Sequence, residues 1–193
     1  MKIKNVGSFR KGLLIAGICV LAIAVILLIT SIYNMQSSER LTASYVSTIE
    51  TLIPEPQGAA LVENAENEMP ALSIDGKDFI GLLEMPSHNS EVPVGAQWKK
   101  SNKYPCRFSG SVYDGSIQIG TTTQKGQYDF YREISVGDQV YFTDMSGNRY
   151  GYTVKDIRNE KHADQEALNR EESNLTLFIK NVYGFEYVIV YCD

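Results

Sequence analysis

The sequence predicts a mainly β protein, a mostly antiparallel barrel, preceded by one transmembrane helix. Three observations lead there. Residues 12–33 carry no charge, and 13–29 are almost wholly aliphatic. From Phe79 onward, short runs of β-branched, aromatic and aliphatic residues alternate with Gly, Pro, Asn and Asp, which is the pattern of strands joined by turns. Near the C-terminus, residues 174–180 (NLTLFIK) form an apolar run bounded by polar residues and too short for a helix, so they read as a buried strand ending at a turn over 181–184. A strand that stops beside a turn holds its last side chain rigidly at an exposed rim, and here that side chain is Lys180.

The apolar stretch 12–33 matches the roughly 20 residues that cross a ~30 Å hydrocarbon core. Lys2, Lys4, Arg10 and Lys11 precede it. The positive-inside rule therefore assigns 1–11 to a cytoplasmic tail and places everything beyond Tyr33 outside. The rival reading is a cleaved signal peptide, but the run is longer than a usual signal core and SIYNMQ offers no small-x-small cleavage site. All 23 acidic residues and 14 of the 18 basic ones lie beyond this stretch, a net charge of −9 that argues against a nucleic-acid partner.

Residues 36–52 place Leu41, Tyr45, Ile49 and Leu52 along one helical face. Pro54 and Pro56 end that helix, and 57–70 have little to bury. The whole of 34–72 is thus expected as an extracellular stalk and linker, with the barrel domain over 73–193. Within it, Asp75-Gly76 marks a turn, 79–84 a strand stopped by Pro86, and 92–94 a short second strand. Residues 102–110 (NKYPCRFSG) read as a loop and 115–120 as a strand followed by a polar run over 121–126. A turn and strand within 135–144 and a strand over 149–157 make a hairpin around MSGN at 145–148. A short polar helix is expected over 162–172, and the strand 174–180 has its partner over 185–192.

The chain has no internal repeat, glycine-rich phosphate loop, HExxH or CxxC. With His88 and His162 its only histidines, it is not read as holding a histidine-rich metal site, and it calls for no cofactor. Three cysteines are too few for a disulfide scaffold. Cys19 lies in the apolar helix, and Cys106 and Cys192 are read either as a structural disulfide or as buried thiols.

In order along the chain, IDGKDFIGLLEMP, YPCRFSGSVYDGSIQIG, SVGDQVYFTDMSGNRYGYTV and NLTLFIK behind an N-terminal anchor resemble the sortases of Gram-positive bacteria. The resemblance implies an eight-stranded barrel outside the membrane. Active sortases cut a sorting-signal peptide through a cysteine thioester and pass it to an amine. That chemistry needs a thiolate to attack, a histidine to protonate the leaving amine and an arginine at the oxyanion or peptide. The family pattern LTLxTC puts its cysteine at Lys180, the histidine pattern falls at about Thr122, and the last-strand arginine falls on Tyr187. All three are substituted, so no residue is expected to be catalytic.

The chain is accordingly read as a catalytically inactive sortase-family protein. It would bind a cell-surface protein or a sorting-signal-like peptide, or act in scaffolding or regulation of sorting. One alternative is an active transpeptidase with a displaced nucleophile, for which Cys106, Cys192 and a desolvated Lys180 are the candidates; another is a purely structural surface module. His162 reads as solvated, and Lys180 as a rim lysine beside a carboxylate such as Glu186.

Overall fold

A computed structural model describes residues 6–54, 68–99, 103–122, 133–162, 168, 173–180 and 186–193. The chain divides into two compact units, Met1–Ser37 and Ser38–Asp193. Helix α1 (Val6–Leu52) contributes to both. In the first unit its segment Gly12–Tyr33 is long and apolar enough to cross a membrane.

The second unit is built on nine strands: β1 (Leu72–Ile74), β2 (Lys77–Met85), β3 (Ser90–Gly95), β4 (Cys106–Ser109), β5 (Ile117–Thr122), β6 (Gln139–Asp144), β7 (Arg149–Glu160), β8 (Leu175–Lys180) and β9 (Tyr187–Cys192). Their order is β1-β2-β3-β4-β5-β8-β9-β7-β6, and a further pairing of β2 with β6 closes the sheet. Eight strands form the ring. β1 stands outside it, pairing with the start of β2 at 77–79, while β6 pairs with β2 at 81–84. Six of the eight contacts around the ring are antiparallel; β3–β4 and β5–β8 are parallel.

Residues 106–109, expected in a loop, form β4 instead. Four residues cut by Pro105 and Gly110 carry too little periodicity to be recognised alone, and the strand exists because β5 supplies its ladder. The inward sides of the strands meet in one core that includes Ile80, Leu83, Phe142, Leu177, Ile179 and Val190. β8 is buried along five of its six residues, as expected of a strand paired on both edges and covered on both faces.

The β6–β7 turn is held by Asp144, which is fully buried. Its Oδ1 accepts from the backbone N–H groups of Ser146 and Asn148, both at 2.9 Å. Its Oδ2 accepts from Asn148 Nδ2 at 3.1 Å and from the phenols of Tyr113 at 3.2 Å and Tyr150 at 3.4 Å. A buried carboxylate is tolerable only when so many donors meet it. Burial first, and then Asp144, push the Tyr150 phenol up to about 12.

Segment 38–52, expected as part of a free-standing stalk, packs on the barrel. Tyr45 and Ile49, one helical turn apart, are buried with Phe79 and Leu82 in a second apolar cluster. The Tyr45 and Phe79 rings lie 5.1 Å apart, and Lys77 Nζ donates to Tyr45 Oη at 2.7 Å. The helical stripe was legible; its partner was not, because Phe79 and Leu82 are recognised as facing outward only once the β2 register is known. The end of the segment meets the β6–β7 turn, where Gly147 sits at φ +83 and an added Cβ would lie 2.5 Å from the Pro54 carbonyl oxygen. Met69 reaches the main core as well. Residues 55–67 of the expected linker lie outside the described residues.

Burying a side chain such as isoleucine is worth about 1.5–3 kcal/mol, and truncating it leaves a cavity besides. In a chain spanning 38–193, Ile49→Ala is therefore expected to cost about 2–4 kcal/mol in urea unfolding. A chain starting at residue 73 should unfold at lower urea than one starting at 38. Coincident midpoints would show that the helix contributes nothing to the barrel.

Candidate functional site

β5, β8 and β9 lie side by side, and their registers arrange three rows across them. Gln118, Thr176 and Tyr191 form the first, Gly120, Phe178 and Ile189 the second, and Thr122, Lys180 and Tyr187 the third. Because strand side chains alternate, the residues between these rows, such as Ile119, Leu177 and Val190, fill the core. The outer side of β8 and β9 instead carries Phe178, Ile189 and Tyr191, packed with Leu168, Trp98 and Tyr187.

The third row lies at the ends of β5 and β8 and the start of β9. Lys180 is exposed and Tyr187 half-buried, with Lys180 Nζ 5.8 Å from the Tyr187 ring centroid. An exposed cation at that distance from a ring gains about 0.5–1 kcal/mol. The turn over 181–184 and the polar run from 123 onward lie outside the described residues.

The second row is an aromatic floor. Phe178 packs edge-on to Phe108 at 5.3 Å and against Trp98 at 5.4 Å. Phe178 is 3% exposed, whereas Phe108 at 37% remains open to solvent. Gly120 makes the arrangement possible, since a Cβ there would run into the Phe178 ring.

The first row is closed by Leu168, which is helical and fully buried. Its carbonyl accepts from Gln118 Nε2 and from Thr176 Oγ1, both at 3.3 Å, and Ser109 Oγ donates to Gln118 Oε1 at 2.7 Å. Of the helix expected over 162–172, only His162 and Leu168 are among the described residues, apart from which 163–172 are not described. Nothing in the sequence marked Leu168, Trp98 or Phe108 as parts of this face. They come from three separate loops and edges, and only the barrel closure brings them together.

The remaining reactive groups lie elsewhere. Cys106 stands opposite Gly120 on β4, is fully buried, and donates its thiol to the Tyr104 carbonyl at 3.4 Å. Cys192 stands opposite Leu175, at the other end of the β8–β9 ladder from Tyr187, and burial pushes its thiol up to about 12. No disulfide joins the two. His88, in a 3-10 turn between β2 and β3, has Nε2 3.0 Å from Asp138 Oδ2 and Nδ1 3.9 Å from Glu133. That contact, followed by the Ser135 N–H, holds the Asp138 carboxyl below the ordinary carboxylate range. His162 is exposed just after β7.

Comparison with protein-family models and with curated proteins returns no match. Solved structures do match. A sortase D5 transpeptidase of Clostridium perfringens superimposes with a TM-score of 0.55 at 14% identity, covering 81% of this chain and 98% of that one. The barrel has the sortase fold. Sortase C of C. perfringens, solved with the C-terminal cell wall sorting motif, gives 0.54 at 18% identity over 79% of this chain and 96% of the other. Sortase C1 of GBS pilus island 1 gives 0.52 at 17% identity over 82% and 81%. These matches cover about four fifths of the chain, and at these identities the likeness is one of fold.

The close approach at Gly120 yields a test of the floor. Gly120→Ala is expected to cost about 1–3 kcal/mol because Phe178 must leave its position over the backbone. Phe178→Ala should recover part of that loss, since the two changes share one contact. Additive losses in urea unfolding would show that the ring does not rest on Gly120.

Proposed function

We propose that this chain is a membrane-anchored, sortase-fold protein without transpeptidase activity, which binds a cell-surface protein or a sorting-signal-like peptide across the outer face of β5, β8 and β9. The observation that carries the reading is the third row. Thr122, Lys180 and Tyr187 are the positions at which the resemblance puts histidine, cysteine and arginine, and the registers of β5, β8 and β9 make them neighbours. On this reading the three positions of such a site are held by a threonine, a lysine and a tyrosine.

The chemistry argues the same way. Acyl transfer needs a thiolate or other activated nucleophile, a proton donor for the leaving amine and a cation or donor pair at the oxyanion. Cys106 and Cys192 are buried in the barrel, out of reach of a peptide, and burial also holds the proton on the Cys192 thiol. Lysine becomes a nucleophile when it is desolvated or set beside another cation, whereas Lys180 is exposed. The aromatic edges of Trp98 and Phe108, packed on Phe178 two residues before Lys180, suit an extended peptide with an apolar side chain. Gly12–Tyr33, about 33 Å long as a helix, supplies the anchor, and the basic residues before it favour an extracellular barrel.

The deciding assay incubates residues 38–193 with sorting-signal peptides and an amine acceptor and follows cleavage and ligation by mass spectrometry. No turnover is expected. Lys180→Cys alone should gain reactivity toward thiol reagents with little transpeptidation, because the three groups act as a unit. Lys180→Cys combined with Thr122→His and Tyr187→Arg should do better. Wild-type turnover that disappears in Cys106→Ala, Cys192→Ala or Lys180→Ala would establish a displaced nucleophile and overturn the reading.

The orientation has its own check. A membrane-impermeant amine reagent added to intact cells is expected to modify Lys99 and Lys103 and to spare Lys2 and Lys4. The opposite pattern would reverse the topology.

A further inference from the structure

The helix segment 38–52 packs Ile49 with Leu82 of β2, and Glu84, two residues further along β2, lies on the same face of that strand. Glu84 on β2 and Glu91 on β3 are directly opposed in their ladder, a placement that costs energy when both are charged. Arg149 on β7 bonds Glu84, with Nη2 2.7 Å from Oε2, and its guanidinium lies 4.2 Å from the ring of Tyr141, the residue opposite Glu84 on β6. The cation is thus fixed on the Glu84 side. The helix brings a third carboxylate, Glu50, next in sequence to the buried Ile49.

We propose that segment 38–52 docks on the barrel through a pH-sensitive clasp, in which a charged Glu91 pushes Glu50 and its helix away and a neutral Glu91 lets Tyr45 and Ile49 seat. Among the described residues, the charged groups acting on Glu91 are Glu50 from α1, Glu84 from β2 and Arg149 from β7. Burial is the largest cause lifting the Glu91 carboxyl to about 7; Glu50 and then Glu84 add to it, and Arg149 opposes. Undocking removes Glu50 and admits water, so the undocked state holds this proton less tightly. Docking is then linked to proton uptake. It is favoured below about pH 7 and weakens as pH rises from the ordinary carboxylate range through about 7.

The device matters because the same helix runs on from the membrane-spanning stretch. Residues 38–52 would hold to the barrel more firmly in a mildly acidic envelope than in a neutral one.

Hydrogen exchange of the full chain in detergent micelles tests it, with mass spectrometry reading 42–52 at pH 6 and pH 8 after correction for intrinsic exchange. Protection of that segment is expected to fall about tenfold from pH 6 to pH 8, the change a carboxyl gives when it titrates near 7 in the docked state and in the ordinary carboxylate range in the undocked one. Glu91→Gln should keep the pH 6 protection at pH 8, and Glu50→Gln should recover part of it. Ile49→Ala supplies the undocked signal at both pH values, and peptides from β8 report whether the barrel is intact. Should Glu91→Gln disturb β8, the exposed Glu50→Gln decides. Equal corrected protection of the wild type at pH 6 and pH 8 would overturn the clasp. So would a pH dependence that persists unchanged in an intact Glu91→Gln, or in Glu50→Gln where that variant decides.

Discussion

The double pairing of β8 is the constraint on which the rest of the barrel depends. Its six residues are bonded along one edge to β5 in parallel and along the other to β9 in antiparallel register. A strand held on both edges cannot slip by one residue without turning Leu175, Leu177 and Ile179 out of the core and Phe178 into it. The same pairing that fills the interior therefore fixes which residue stands at the rim and which neighbours it has. Core and candidate site are two faces of one register.

The outer face is held as firmly as the inner one. Gln118 and Thr176 are buried polar groups that meet the Leu168 carbonyl, so Leu168 is bonded to β5 and β8. Phe178 rests over Gly120 and under Trp98 and Phe108. On the other side of the molecule the carboxylate of Asp144 does comparable work for the β6–β7 turn, drawing two backbone N–H groups, an amide and two phenols to one place.

What the sequence disclosed follows from how far each signal reaches along the chain. The apolar run 12–33, the hairpin around 145–148 and the strand read over 174–180 were legible because each is a local pattern of residue type. β4 was missed, because four residues between Pro105 and Gly110 have no period of their own and depend on β5. The stalk reading failed at 38–52 for a related reason. Tyr45 and Ile49 were seen on one face, but the apolar surface that receives them comes from β2, beyond a proline-rich stretch. For the site, the family pattern pointed to positions 122, 180 and 187, while the aromatic floor and the Leu168 clamp left no trace, since their members are scattered from 98 to 189.

The parallel pairing of β5 with β8 also sets an order in time. Ile117 and Leu175, partners at the start of that ladder, are 58 positions apart, with the β6–β7 hairpin between them. Closing so long a loop costs entropy before any contact repays it, whereas the hairpin forms from neighbours. Loop-closure entropy thus favours the local hairpins over the row of Thr122, Lys180 and Tyr187 as the first to form. The row is assembled only where β5, β8 and β9 are paired, so a partner that touched all three residues would distinguish the paired barrel from a chain whose strands are apart.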